Sequence, residues 1–209
     1  RKLDTYGKSF SMTRRAFIND DIGFLTNVPS AYAQRYKETI DELVYSKIFE
    51  NGVTFDGVQL FHANHKNLMS GAGEKPSQAV IQKMITMMQL QKDSFGKAVR
   101  VRPKYIVVPV GWGFELRVIF HSAQVVGSDF NDVNPLNEYP IEIVETPVLN
   151  MLADANKVPW FMVADPNSAK SIQVDYLNGQ EQPIVERDQV ATKLGFYWKI
   201  YGDFGVNVR

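Results

Sequence analysis

The stretch LDTYGKSFSMTRRAFINDD, residues 3–21, alternates small or hydroxyl-bearing side chains with large ones. Thr5, Gly7, Ser9, Ser11 and Thr13 fall on one side, and Tyr6, Lys8, Phe10 and Met12 on the other. A period of two predicts a strand with one small polar face and one bulky face. Arg14 and Arg15 follow, and as neighbours in a strand they would point to opposite faces, so they would not form one patch. Asn19, Asp20 and Asp21, with Gly23 behind them, break the pattern and offer capping side chains to a helix. Three uses fit the stretch: a phosphate- or nucleic-acid-binding ribbon, an acid/base pair at Asp20 and Asp21, or a strand built to lie against something. As an acid/base pair the aspartates sit poorly, because adjacent carboxylates at a helix start are better explained by the positive end of the helix dipole.

Outward from there, a long helix is expected over about Phe24 to Glu50. Val28, Tyr32, Tyr36, Ile40, Val44 and Ile48 fall four apart, and Leu25, Leu43 and Phe49 widen the stripe. Pro29 fits only near the start, in the first turn, and Asn51-Gly52 ends the helix. At 1.5 Å per residue it would run about 35–40 Å, a spine for a chain this short. Residues 53–76 read as loop and short strands ending in the Gly-rich SGAGEKP. A second helix follows over about Ser77 to Lys92, with Val80, Ile81, Met84, Ile85, Met88 and Leu90 inward, and its methionines read as core. YIVVPV, Tyr105 to Val110, is a continuous apolar run and so a strand buried on both faces. A short helix over about Phe114 to Ser122, strands at IEIVETPVL and WFMVADP, and an antiparallel finish of SIQVDYL, the turn NGQEQP, IVERD and GFYWKIYGDFGVNV complete the chain. Mixed helices and strands without regular βαβ alternation make the class α+β. There is no internal repeat.

The chain has 209 residues, enough for one large domain or two small ones with a real core. Apolar residues at 44% and charged residues at 22% are ordinary for a folded protein. Lys plus Arg and Asp plus Glu are both 23, which argues against a wide nucleic-acid grip but leaves room for a local basic patch. Without cysteine there are no disulfides, thiolate nucleophiles or cysteine-ligated metals. No apolar run reaches membrane-spanning length. The chain opens on Arg1 in mid-pattern, and we read it as a piece of a longer polypeptide.

Candidate chemistry is sparse. His62 and His65 in FHANHKN could join a carboxylate or His121 on a metal, but two histidines three apart lack the helical four-residue offset and internal glutamate of metalloprotease sites. Hydrogen-bonded loop histidines are the better reading. There is no nucleophile elbow, and GAGEKPS lacks phosphate-loop spacing. Nothing assembles a catalytic set, so no enzyme and no cofactor are expected.

The unusual features are architectural, and they coincide with a family. TYGKSFSMTRRAFINDDIGFLTNVP, residues 5–29, resembles the Mu-like major head subunit group of tailed-phage major capsid proteins. There a Tyr-Gly-basic-x-Phe-Ser strand leads to an Ile-x-Asn-Asp-Asp boundary and then a long helix. DGVQLFHANHKNL resembles the family's Asp-Gly-x-x-Leu-Phe-His-x-x-His-x-Asn-Leu segment, RPKYIVVP its Arg-Pro-x-Tyr strand, and WFMVADP with IQVDYLNGQEQP its closing strands. The matches run in order over nearly the whole chain.

The resemblance implies the Hong Kong 97-type phage capsid fold and the structural role of a major head subunit in a virion, made in the bacterial host cytoplasm. It implies residues 1–22 as the return strand of a partial E-loop and its junction, and 23–73 as the first part of a P-domain with the spine at 24–50. It implies 74–169 as an A-domain and 170–209 as the P-domain's return strands. Partners would be copies of the chain in hexameric and pentameric capsomers, with scaffolding, protease, portal or decoration proteins during assembly, nonspecific contact with packaged DNA, and no membrane. Tyr6, Lys8, Phe10, Met12, Arg14 and Arg15 are the candidate inter-subunit contacts, the bulky face lying on a neighbour as half of a long hairpin. Two other readings stay open: a small metal-dependent hydrolase using His62 and His65, and a nucleic-acid-binding module using Arg14, Arg15, Lys97, Arg100 and Arg102.

Overall fold

The computed structural model describes residues 2–19, 24–69, 75–93, 95–125, 132–153, 159–189 and 194–208. Asp20, Asp21, Gly23 and most of the Gly-rich stretch before Lys75 lie outside them, as does the side chain of Leu25. The chain forms two compact units, one from Arg1–Lys47 with Ile172–Arg209 and one from Ile48–Ser171.

In the first unit the alternating stretch is strand β1, Asp4–Thr13, and the aromatic-rich finish is β7, Gly195–Val208. They pair antiparallel over the whole of β1, from Asp4 opposite Phe204 to Thr13 opposite Gly195. The other edge of β7 is shared by β5, Ile172–Tyr176, and β6, Ile184–Gln189, each antiparallel to it. Tyr176 sits opposite Phe204 and Ile184 opposite Tyr201, so β5 and β6 run in the same direction, one after the other. The expected hairpin turn at NGQEQP is therefore an excursion in an interrupted strand. Asn178 at φ 54° and Gly179 at φ 73° make the left-handed bend it needs.

Ladder pairing stops at Thr13, and the chain leaves β7 after Arg14 N–H donates to the Leu194 carbonyl at 2.9 Å. Thr13 Oγ1 then accepts from Ala16 N–H at 3.3 Å and caps helix α1, Arg14–Ile18. Arg14 and Arg15 are thus helical, not continued strand.

The spine is α2, Phe24–Phe49, about 39 Å long. Val28, Tyr36 and Ile40 are buried and Tyr32, Leu43, Val44 and Ile48 half-buried, as the four-residue spacing requires, whereas Phe49 is exposed. Pro29 is the sixth helical residue, one turn further in than expected, where its ring removes one backbone hydrogen bond. Tyr36 and Ile40 close on Phe204, which is fully buried, with Tyr6, Leu43, Val44, Val174 and Tyr176 around them. Burying a phenylalanine this completely contributes about 1.5–3 kcal/mol relative to leaving it exposed.

In the second unit, β2, Pro103–Pro109, is the centre of a three-stranded sheet. It runs parallel to β3, Glu142–Thr146, and antiparallel to β4, Phe161–Ala164. Ile106 and Val108 are fully buried and Val107 nearly so, which explains the unbroken apolar run. Helices α3, Gln78–Gln89, and α4, Gly113–His121, supply Ile81, Ile85, Leu116 and Phe120 to the same core. Ser77 Oγ caps α3 by accepting from Val80 N–H at 3.4 Å. Leu90, expected inward, follows the last turn of α3 and is exposed. The run IEIVETPVL is strand only to Thr146, whose hydroxyl accepts from Val148 N–H at 3.3 Å. With Pro147 at the first position, that cap turns the rest into helix α5, Pro147–Leu152. Between residues 53 and 69 there is one isolated bridge, Val53 to Gln59, in place of the short strands expected. No described helix is long and apolar enough to cross a membrane.

Candidate functional site

The residues singled out in the sequence lie in two places: the β1 strand with the turn of helix after it, and the histidine loop that follows the spine.

Along β1, Tyr6 stacks on Phe204 at 4.5 Å between ring centroids. Phe10 is sandwiched between Trp198 at 5.0 Å and Tyr32 at 5.4 Å. These two rings of the bulky face are thus packed against the chain's own β7 and α2. Met12 is half-buried, and Lys8, Arg14 and Arg15 are exposed. On the opposite face the hydroxyl row of β1 is exposed beside a polar ladder. Thr5 donates to Asp203 at 2.5 Å, Tyr201 to Glu186 at 2.9 Å and Tyr197 to Asp188 at 3.2 Å. Arg187 lies over the rings of Phe196 and Trp198 at 4.3 and 5.4 Å, an attraction of cation and ring face that sequence spacing did not disclose.

The histidine loop is stitched by its own side chains. Asn51, in the left-handed region at φ 50°, clamps Phe61 like a paired strand: Oδ1 accepts from Phe61 N–H at 2.6 Å and Nδ2 donates to its carbonyl at 3.1 Å. Asp56 accepts from the Thr54 hydroxyl, from Val58 N–H at 3.0 Å and from His65 Nε2 at 2.8 Å. Those donors, the Thr54 hydroxyl foremost, hold its carboxyl well below the usual carboxylate range. His65 Nδ1 donates to the Leu60 carbonyl at 3.0 Å. Both ring nitrogens face oxygen acceptors, so only the imidazolium satisfies both, and Asp56 foremost raises its pKa above the ordinary 6.5. Asn67 donates to the Leu60 carbonyl at 2.6 Å and accepts from His62 N–H at 3.1 Å. His62 Nδ1 accepts from Asn64 N–H at 3.1 Å, capping the 3₁₀ turn Ala63–His65.

The histidine spacing is thus accounted for by loop hydrogen bonds. Among the described residues no three His, Cys, Asp or Glu side chains gather as a metal cluster. The five cations of the nucleic-acid reading are all exposed, but Arg14 and Arg15 belong to the first unit and Lys97, Arg100 and Arg102 to the second.

The sequence matches the phage capsid protein family over residues 1–208. The chain belongs to that family. This capsid protein is a structural protein whose α+β fold resembles the Hong Kong 97-type capsid fold. Its fold is similar to the capsid of Myoviridae phage XM1 at a TM-score of 0.63 and 15% identity, covering 99% of this chain and 69% of that one. Mycobacterium phage Che8 follows at 0.56 and 16%, covering 98% and 66%. The capsid asymmetric unit of cyanophage Pam1 stands at 0.56 and 16%, covering 99% and 70%. The capsid protein thus spans about two thirds of the length of these structures. No curated protein sequence matches it.

In the capsid protein the Asp-Gly…Leu-Phe-His…His…Asn-Leu segment is a structural staple. Asp56, His65 and Asn67 bind the loop and Leu60 is buried. Phe61 stacks on Phe161 at 5.5 Å. The sequence marks these residues as a motif, but the Asn51 clamp and the Gln91 side chain, which donates to the His65 and Lys66 carbonyls at 3.1 and 3.0 Å, join distant positions that no spacing announces.

Proposed function

We propose that this chain is the major capsid, or major head, subunit of a tailed bacteriophage or prophage of the Mu-like type. Copies assemble through hexameric and pentameric capsomers into the icosahedral shell that encloses the DNA genome. The observation that carries this reading is the family match over residues 1–208. In the Hong Kong 97-type division, residues 1–22 act as an E-loop return strand and 23–73 with 170–209 as a P-domain. Residues 74–169 act as an A-domain.

Copies that meet head to tail use two different patches of one chain, and they close into rings when the rotation between neighbours is a whole fraction of a turn. Strand β1 provides one such patch. Its Tyr6 and Phe10 rings fix the strand from within, and Lys8, Met12, Arg14 and Arg15 are the side chains it offers to a neighbour. Scaffolding, protease, portal and decoration proteins are the further assembly partners of such a subunit.

Sedimentation velocity of the full-length protein tests the reading. Lys8→Glu and Arg14→Glu should keep the far-ultraviolet spectrum and melting temperature of the wild type while losing capsomer-sized species. Normal capsomers from both variants would remove β1 from the interface. A wild type that stays monomeric under assembly conditions would overturn the subunit reading itself.

A further inference from the structure

The arm between α3 and β2 concentrates positive charge in a chain whose net charge is zero. From Lys92 to Lys104 there are five cations and one anion, Asp93, so the rest of the chain carries a net charge of −4. Lys104 is held by Asp165 at 3.1 Å. Lys92, Lys97, Arg100 and Arg102 are exposed, with no acidic side chain in ion-pair contact among the described residues.

The arm is built. Asp93 N–H donates to the Lys97 carbonyl at 2.9 Å, and Gly96, at φ 78°, donates to the Asp93 carbonyl at 3.0 Å. The Asp93 carboxylate is spent inside this turn, accepting from Phe95 N–H at 2.9 Å and Lys97 N–H at 2.8 Å. Lys92 and Ala98 form a bridge, and Val99 N–H donates to the Gln91 carbonyl at 2.9 Å. The base of the arm is tied down by the Gln91 side chain on the carbonyls of His65 and Lys66. Burial alternates at its root: Val101 and Pro103 are buried, Arg100 and Arg102 exposed. At its root the fold thus turns Val101 and Pro103 in and the arginines out, while the turn itself, with Phe95 exposed, consumes the one local anion.

We propose that this arm is a contact for the phosphate backbone of DNA. Resting on the capsid reading, it marks the face of the subunit turned toward the packaged genome. Cations on a preorganised turn bind a polyanion by releasing its counterions, without base specificity. With a net charge of −4 over the rest of the chain, that attraction is concentrated on the arm. An acidic surface on a second copy is the competing occupant.

The test is fluorescence anisotropy of a 20-base-pair duplex with the full-length protein, from 20 mM to 200 mM salt. Binding should weaken with a log–log slope of about −3 to −3.6, as expected for up to four neutralised phosphates. K97Q/R100Q/R102Q should weaken binding at least about tenfold at the low-salt end and bring the slope to about −1. K37Q/K83Q, two exposed helix lysines elsewhere, should leave both unchanged. Absence of wild-type binding at 20 mM salt, or equal binding by the triple variant, overturns the proposal. So does a triple variant that keeps DNA binding but loses association of the protein with itself, since the arm then meets a second copy. Electron microscopy of the same preparations reads the capsid reading separately: shells without DNA binding would sink this inference alone.

Discussion

Tyr36 lies directly against Gly202. A Cβ built on that glycine would come within 2.6 Å of the tyrosine Cζ and 2.8 Å of its Cε2, too close for any side chain. The spine helix therefore seats on β7 through an aromatic ring in the space of a missing side chain, and the same ring meets Phe204 edge-on at 5.5 Å. Gly202→Ala should cost about 1–3 kcal/mol as overpacking, read by chemical denaturation. Tyr36→Phe should cost nothing or stabilise slightly, because the buried Tyr36 hydroxyl has no hydrogen-bond partner among the described residues. A large loss from Tyr36→Phe would show that the hydroxyl is satisfied and the packing account wrong.

Ile40, one turn further along the same stripe, is 9% exposed. Ile40→Asp places a carboxylate among apolar neighbours and should destabilise by about 3 kcal/mol or more. An unchanged melting temperature would refute the helix phase.

The His65–Asp56 pair should make the loop pH-sensitive, with opposite signs at its two ends. The Asp56 pKa is depressed, so its contribution is present above pH 3.8 and is lost as pH falls through its folded value. The His65 pKa is raised, so its contribution is complete below pH 6.5 and is lost as pH rises through its folded value. Between those limits the loop is tightest. Titration of the His65 ring by NMR should show a midpoint above 6.5 that Asp56→Asn moves back down. A midpoint below 6.5 in the wild type would contradict the hydrogen-bond assignment.

At the C-terminal end of the spine, Asn51 combines a left-handed backbone with the Phe61 clamp. Asn51→Gly loses the clamp but keeps the backbone, whereas Asn51→Ala loses the clamp and strains the backbone. Alanine should therefore be the less stable variant, by about 1 kcal/mol. Equal melting of the two would mean that the left-handed turn is not retained in solution.

What was legible in the sequence follows from periodicity. The alternation at residues 5–13 specified a strand with distinct faces, the four-residue spacing specified the spine, and the unbroken run at 105–110 specified a central strand. Capping chemistry overrides that periodicity at two places. Thr13 and Thr146 each accept a backbone N–H and turn the following residues into helix, so Arg14–Ile18 and Pro147–Leu152 departed from the strand patterns leading into them. The pairing of β1, β5 and β6 onto one long β7 is a long-range fact that local pattern does not contain. That pairing, with α2 on Phe10, gives the bulky residues Tyr6 and Phe10 partners inside the chain. In the histidine loop the motif was visible, but its role required knowing that both His65 nitrogens reach oxygen atoms.

The central claim, that copies of this chain build a closed shell, is tested most directly by negative-stain electron microscopy of the full-length protein under assembly conditions. The account predicts rings of five or six subunits and closed shells. A homogeneous population of monomers under those conditions would contradict it.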